Sequence, residues 1–100
     1  MKEINYLILS LTFKYGTELD DEVDALLYQR LNDVYLRFEW FGSETDGEEK
    51  TSSYVMKIYE EDVDEVNSVL LEAEDRFEDC YFEWSFIEEE TAEEEGYSLS

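Results

Sequence analysis

Residues 4–15 limit the fold more than any other stretch. Leu7, Leu9, Leu11 and Phe13 fall on one side of an extended segment, with Ser10, Thr12 and Lys14 opposite. In the first half Ile4, Tyr6 and Ile8 make the second side apolar as well. Successive side chains of a strand point to opposite faces, so a run apolar on both sides needs cover on both. The pattern predicts a central strand.

Tyr15-Gly16 ends that strand, and Thr17, with Asp20 three residues on, is placed to cap a helix over roughly 18–31. Leu19, Val23, Leu26, Leu27 and Leu31 recur at helical spacing as its apolar stripe. Glu18, Asp21, Glu22, Asp24 and Tyr28 fall opposite, and Arg30 sits within the stripe with its stem able to pack and its head to reach out. A second strand over 34–41 sends Val34, Leu36, Phe38 and Trp40 one way and Tyr35, Arg37 and Glu39 the other. Residues 42–52 are polar, contain Asp46-Gly47, and read as a hairpin connection longer than a tight turn. A third strand over 53–59 turns Tyr54, Met56 and Ile58 inward.

A second helix is predicted over 62–79, with Asp62 and Glu65 in a cap-like arrangement and a core face of Val63, Val66, Val69, Leu70, Ala73 and Phe77. A fourth strand follows over 81–87, carrying Phe82, Trp84 and Phe86. Residues 1–88 thus form one acidic α+β domain, and 89–100 an acidic, frayed tail. The order βαββαβ resembles the ferredoxin-like superfold, which implies a four-stranded antiparallel sheet with two helices on one face.

Charge excludes more functions than it suggests. Twenty-nine Asp and Glu face seven Lys and Arg, for a net −22. Self-repulsion opposes the compact state, so folding gains nothing from that excess. Yet 43% of residues are apolar and 16% aromatic, a composition unlike that of disordered acidic chains. An anionic membrane surface and nucleic acid would both repel such a protein, so the expected partner is basic. The longest apolar run, Tyr6 to Leu11, is too short to span a bilayer, and no secretory leader pattern is present. A cytoplasmic setting is expected.

Catalysis is not expected. Histidine is absent, which removes most triads, general bases and metal centres. Among twenty-nine carboxylates some pair always lies at a plausible acid–base distance, so such a pair carries no information. The acids at 43–50 and 62–65 lack the spacing of a calcium loop. Cys80, the only cysteine, reads as a small buried hydrophobe. No cofactor and no metal are predicted. Tyr35, Tyr59 and Tyr81, beside Arg37 and Lys57, would fall on the open sheet face, where RNA-recognition domains stack bases. The basic aromatic signature of those domains is missing.

The candidate partner-binding residues are therefore acids at helical spacing. Glu65, Glu72, Asp75 and Asp79 cover about 20 Å at about 1.5 Å per residue, beside a first-helix row of Glu18, Asp21, Glu22 and Asp24, with Tyr28 as an apolar anchor. Small, aromatic-filled, strongly anionic chains without catalytic residues resemble DNA-mimic inhibitors of phages and mobile elements, such as anti-restriction and anti-CRISPR proteins. The resemblance lies in composition, length and charge over the whole chain and involves no diagnostic motif. It implies a rigid decoy that fills the DNA-binding surface of a host nuclease or a CRISPR or restriction complex. The alternative is an immunity protein or antitoxin plugging a basic nuclease toxin, or else an acidic regulator of a basic host protein. Trp40, Phe41 and an open sheet edge would also permit a homodimer.

Overall fold

The structure is a computed structural model and describes residues 2–97. Its elements are β1 (Ile4–Lys14), α1 (Leu19–Leu31), β2 (Arg37–Asp46), β3 (Glu49–Tyr59), a 3-10 turn (Glu60–Asp62), α2 (Val63–Arg76), β4 (Cys80–Glu88) and α3 (Glu89–Glu94). The four strands form one sheet in the order β2-β3-β1-β4, and each neighbouring pair is antiparallel. β1 is central, as its two apolar sides require.

Leu7, Leu9, Leu11 and Phe13 join Tyr54, Met56 and Ile58 of β3 and Phe82 of β4 in the main core. Val23, Leu26, Leu27 and Leu31 of α1 and Val66, Val69, Leu70 and Ala73 of α2 close it from above. Both predicted helices therefore lie on one sheet face.

The expectation of only two helices needs correction. Tyr6 and Val55, on the opposite face, are fully buried with Ala92 of α3, flanked by Ile4, Ile8, Ile87 and Tyr97. The segment expected to fray thus contains a helix that supplies the missing cover for β1. Gly96, at φ 86, lets the helix end tightly. The Tyr97 N–H bonds to the Ala92 carbonyl at 2.8 Å and the Gly96 N–H to that of Glu93 at 3.3 Å, the paired closure of a Schellman end. Lys57 lies 3.8 Å from Glu89 and ties the helix start to the sheet. Of the expected tail, residues 98–100 lie outside the described residues.

The 42–52 connection is also corrected. β2 and β3 stay paired out to Asp46 and Glu49, leaving the two-residue turn Gly47-Glu48. Gly47 has φ 63, the positive value that the first position of a II′ hairpin turn demands. These strand ends look like loop in sequence because they are polar. On β3 the core-side positions across from Leu11 and Phe13 are held by Ser52 and Lys50, so alternation has no apolar side to reveal.

Ladder register shifts between Trp40 and Gly42, so Phe41 is the extra residue of a bulge. Trp40, expected inward, stands on the helix side of an edge strand and remains 59% exposed, while Phe41 packs on Tyr97 with ring centroids 5.8 Å apart. Tyr35, expected on the open face, instead precedes the strand and packs on the main core between Tyr28 and Phe38. α2 ends at Arg76, which leaves Asp79 in the turn before β4. Neither Thr17 nor Asp62 makes a side-chain cap: Thr17 Oγ1 donates to the Lys14 carbonyl at 2.7 Å, and both helices start without a capping side-chain bond.

Candidate docking surface

On α1 the apolar stripe faces the sheet and sends the acids outward. Glu18, Asp21 and Glu22 are exposed, Asp24 is half-buried, and Tyr28 is exposed. Carboxylates in the first turn also suit the positive end of the helix dipole. On α2, Glu65, Glu72 and Asp75 are exposed, and Asp79 is exposed beyond its end.

These acids do not form two uninterrupted rows. Arg30 Nη1 donates to both oxygens of Glu72, at 2.8 and 2.6 Å. The pair crosses from α1 to α2, so Glu72 is neutralised within the protein. Arg76 lines the same inter-helix seam with Glu22, Gln29 and Phe77. Any duplex-like groove between the helices therefore carries positive charge along part of its floor.

Acidic clefts replace that picture. A cleft of about 580 Å³ gathers Glu3, Glu60, Glu88, Glu89 and Glu90 and takes in none of the predicted acids. Two others do take them in. One, of about 450 Å³, lies between the start of α1 and the β2 edge and is lined by Asp20, Asp21, Asp24, Phe38, Glu39, Trp40, Lys50 and Tyr54. Its floor is aromatic, with Phe38 and Tyr54 rings 5.5 Å apart. The second, of about 550 Å³, gathers Asp79 with Glu74 and Glu78, with Glu48 and Glu49 of the hairpin, and with Lys14 and Tyr81. The predicted acids thus split into Asp21 and Asp24 in one cleft and Asp79 in the other. Glu18, Glu22, Glu65, Glu72 and Asp75 line neither.

Asp20, expected as the capping partner of Thr17, instead turns into the protein. It is only 8% exposed, accepts a hydrogen bond from Ser52 Oγ at 2.9 Å and one from the Asp21 N–H at 3.0 Å, and lies 3.5 Å from Lys50 Nζ. The signal was present, since Asp20 precedes Val23 by three and Leu27 by seven and so belongs to the stripe that faces the sheet. Burial, then the charges of Asp21 and Asp20, raises the Asp24 carboxyl above its ordinary value. Burial, then Asp20, raises the Tyr54 phenol. Burial likewise pushes the Cys80 thiol up to about 11, with Asp20 adding to the effect.

Chemically this surface presents cation acceptors and aromatic rings. Cys80 is buried and held as the thiol, which leaves it a poor nucleophile. Among the described residues no cluster of three or more carboxylate or thiol groups is placed to hold a metal ion. No helix among them is long and apolar enough to cross a membrane.

No protein-family model matches the chain, and no curated protein matches it. Solved structures do. A de novo designed protein, Foldit4, is similar with a TM-score of 0.61 at 10% identity, over 85% of this chain and 97% of the other. A dimeric ferredoxin-like protein from an uncultured marine organism gives 0.57 at 14%, over 87% and 95%. A protein of unknown function from Galdieria sulphuraria gives 0.54 at 15%, over 85% of this chain and 50% of its own. At such identities the likeness is one of fold: a ferredoxin-like α+β sheet, here carrying a third helix on its second face.

Proposed function

We propose that this protein is a non-enzymatic polyanion mimic, acting in the host cytoplasm. It would occupy the nucleic-acid-binding surface of a basic nuclease or of a CRISPR or restriction complex. One quantity carries the proposal. The molecule is 45 Å long and bears a net −22, or one charge per about 2 Å of its long axis, against one per about 1.7 Å for duplex DNA. The sheet and its three helices hold those charges on a packed body, so a partner's Lys and Arg meet them without first ordering a flexible chain. Steering by so strong a field also speeds the encounter.

A second reading has its own support. The aromatic-floored cleft and the Arg30–Glu72 clasp are features of individual shape, which favour an immunity protein matched to a single nuclease toxin over a general duplex decoy. A homodimer through Trp40 and Phe41 of the β2 edge is compatible with the dimeric ferredoxin-like neighbour. With −22 on each copy, it would form only as salt screens the charge.

The test is affinity capture from a host lysate with washes at graded salt, followed by competition with unrelated duplex DNA. The mimic is supported if a nucleic-acid enzyme is retained at low salt and displaced by DNA of any sequence. Capture of a single nuclease that DNA does not displace points to the immunity reading. Reversing Asp21, Asp24, Glu65, Asp75 and Asp79 to Lys adds two charges at each position, moving the net from −22 to −12. This variant should lose capture while keeping its circular dichroism spectrum. Glu72 is left intact because it holds Arg30.

A further inference from the structure

We propose that the cleft between α1 and β2 is an arginine anchor: a guanidinium of the basic partner stacks on the Trp40 indole while Asp21 and Asp24 hold its edge. The inference rests on the polyanion reading above and assigns that reading's partner chemistry to one place on the surface.

Trp40 explains why the anchor lies here. A large apolar ring on an edge strand normally finds cover, yet this one is 59% exposed. The register fixes where it stands. Trp40 pairs with Tyr54, whose ring is in the main core, so the indole projects on the helix side, toward the first turns of α1. There it joins Phe38 and Tyr54, giving the cleft an aromatic floor under an acidic rim.

The cations already present leave that rim open. Lys50 sits 3.5 Å from Asp20, which also has Ser52 and the Asp21 N–H as partners. Glu39 is engaged by Arg37. Asp21 and Asp24 remain, three residues apart on one helical face and directed at the cleft. Both line the same cleft as the Trp40 indole.

Charge complementarity selects a cation, since at low salt a second copy would bring −22 to an already acidic rim. Among cations the geometry selects arginine. A guanidinium is planar, weakly hydrated and always charged, stacks on an indole, and presents several N–H donors at its edge to carboxylates. A lysine ammonium is strongly hydrated and gains less from the ring. The cleft near Asp79 holds more acids but offers a tyrosine rather than an indole.

The test uses the full chain and two capped pentapeptides of equal charge, Gly-Gly-Arg-Gly-Gly and its Lys counterpart, followed by heteronuclear NMR at low salt. The chain has only two tryptophans, and the Trp84 indole N–H is held by Asn67 at 2.9 Å, so the two indole signals report different places. The Arg peptide should saturate shifts at the Trp40 indole and at the Asp21 and Asp24 amides, binding about threefold or more tighter than the Lys peptide, the scale of an exposed cation–π contact. Trp40→Ala should remove the preference for Arg. The double variant Asp21→Asn, Asp24→Asn should remove saturation while leaving the indole in place. Equal, unsaturating shifts spread over the acidic surface would overturn the proposal, as would saturation centred elsewhere.

Failure here is separable from failure of the function. If Trp40→Ala binds the captured, DNA-displaceable enzyme unchanged, the anchor is wrong and the mimic stands. If the Arg peptide fills the cleft but captured partners do not bind nucleic acid, the anchor stands and the mimic falls.

Discussion

Removing residues 89–100 tests whether α3 is a structural element. Tyr6 and Val55 are each about 1% exposed beneath it, with Ile8 and Ile87 at their flanks. Fully uncovering a side chain of this size costs roughly 1.5–3 kcal/mol, so losing most of the cover over two of them costs about 2–5 kcal/mol. The same cut removes Glu89, Glu90, Glu93, Glu94 and Glu95. Relief of their mutual repulsion returns on the order of 1 kcal/mol at most, because exposed charges interact weakly through water. The net loss of about 1–4 kcal/mol is a large part of the stability of a small domain and shifts Tm down by roughly 5–25 °C. Thermal and urea unfolding, followed by circular dichroism, measures it. A companion variant, Glu93→Gln with Glu94→Gln and Glu95→Gln, keeps the cover and drops charge, and should melt at or above the parent temperature. A truncated chain as stable as the full one would refute the claim that α3 seals the second face.

Two further perturbations probe the buried and crowded acids. Ser52→Ala leaves the Asp20 carboxylate with one donor fewer in a buried setting and should cost about 1–3 kcal/mol in urea unfolding; no change would mean that Asp20 takes water instead. The raised carboxyls set the sign of the pH response. Burial and then Asp21 and Asp20 raise Asp24, whereas a hydrogen bond and then the charge of Glu3 raise Glu60. Both groups bind their protons more tightly in the folded state. Their ionisation therefore penalises folding above the folded-state pKa, and the penalty disappears as pH falls below the unfolded value. Tm should rise as pH is lowered from 7 toward the ordinary carboxylate range, and moderate salt at pH 7 should raise it as well. A fall in Tm over that pH interval would refute the sign drawn from Asp24 and Glu60.

Legibility in the sequence followed apolar periodicity and failed where polar residues take structural places. β1 announced its central position through two apolar sides, and α1 and α2 announced their core faces through spaced leucines and valines. α3 was hidden because a single alanine, Ala92, makes its buried contact amid six glutamates, from Glu88 to Glu95 apart from Thr91 and Ala92. Two clues pointed to it: Ile4, Tyr6 and Ile8 required a cover that no other element supplied, and Gly96 stood where a helix end needs positive φ. The hairpin ends were misread because their core-side positions are polar: Ser52, fully buried, bonds Asp20, and Lys50 stands across from Phe13. The acids were legible as an excess, but their grouping was not. Spacing alone placed Glu72 in a row of open carboxylates, when a residue forty-two positions earlier neutralises it.

The placement of β1 also governs how this chain acquires its structure. The strand nearest the start of the sequence is hydrogen-bonded on one side to residues 49–59 and on the other to residues 80–88. A ribosome therefore releases this strand before either neighbour exists, and both of its ladders join segments far apart in sequence. A sheet built from such distant pairings folds more slowly than one built from local contacts.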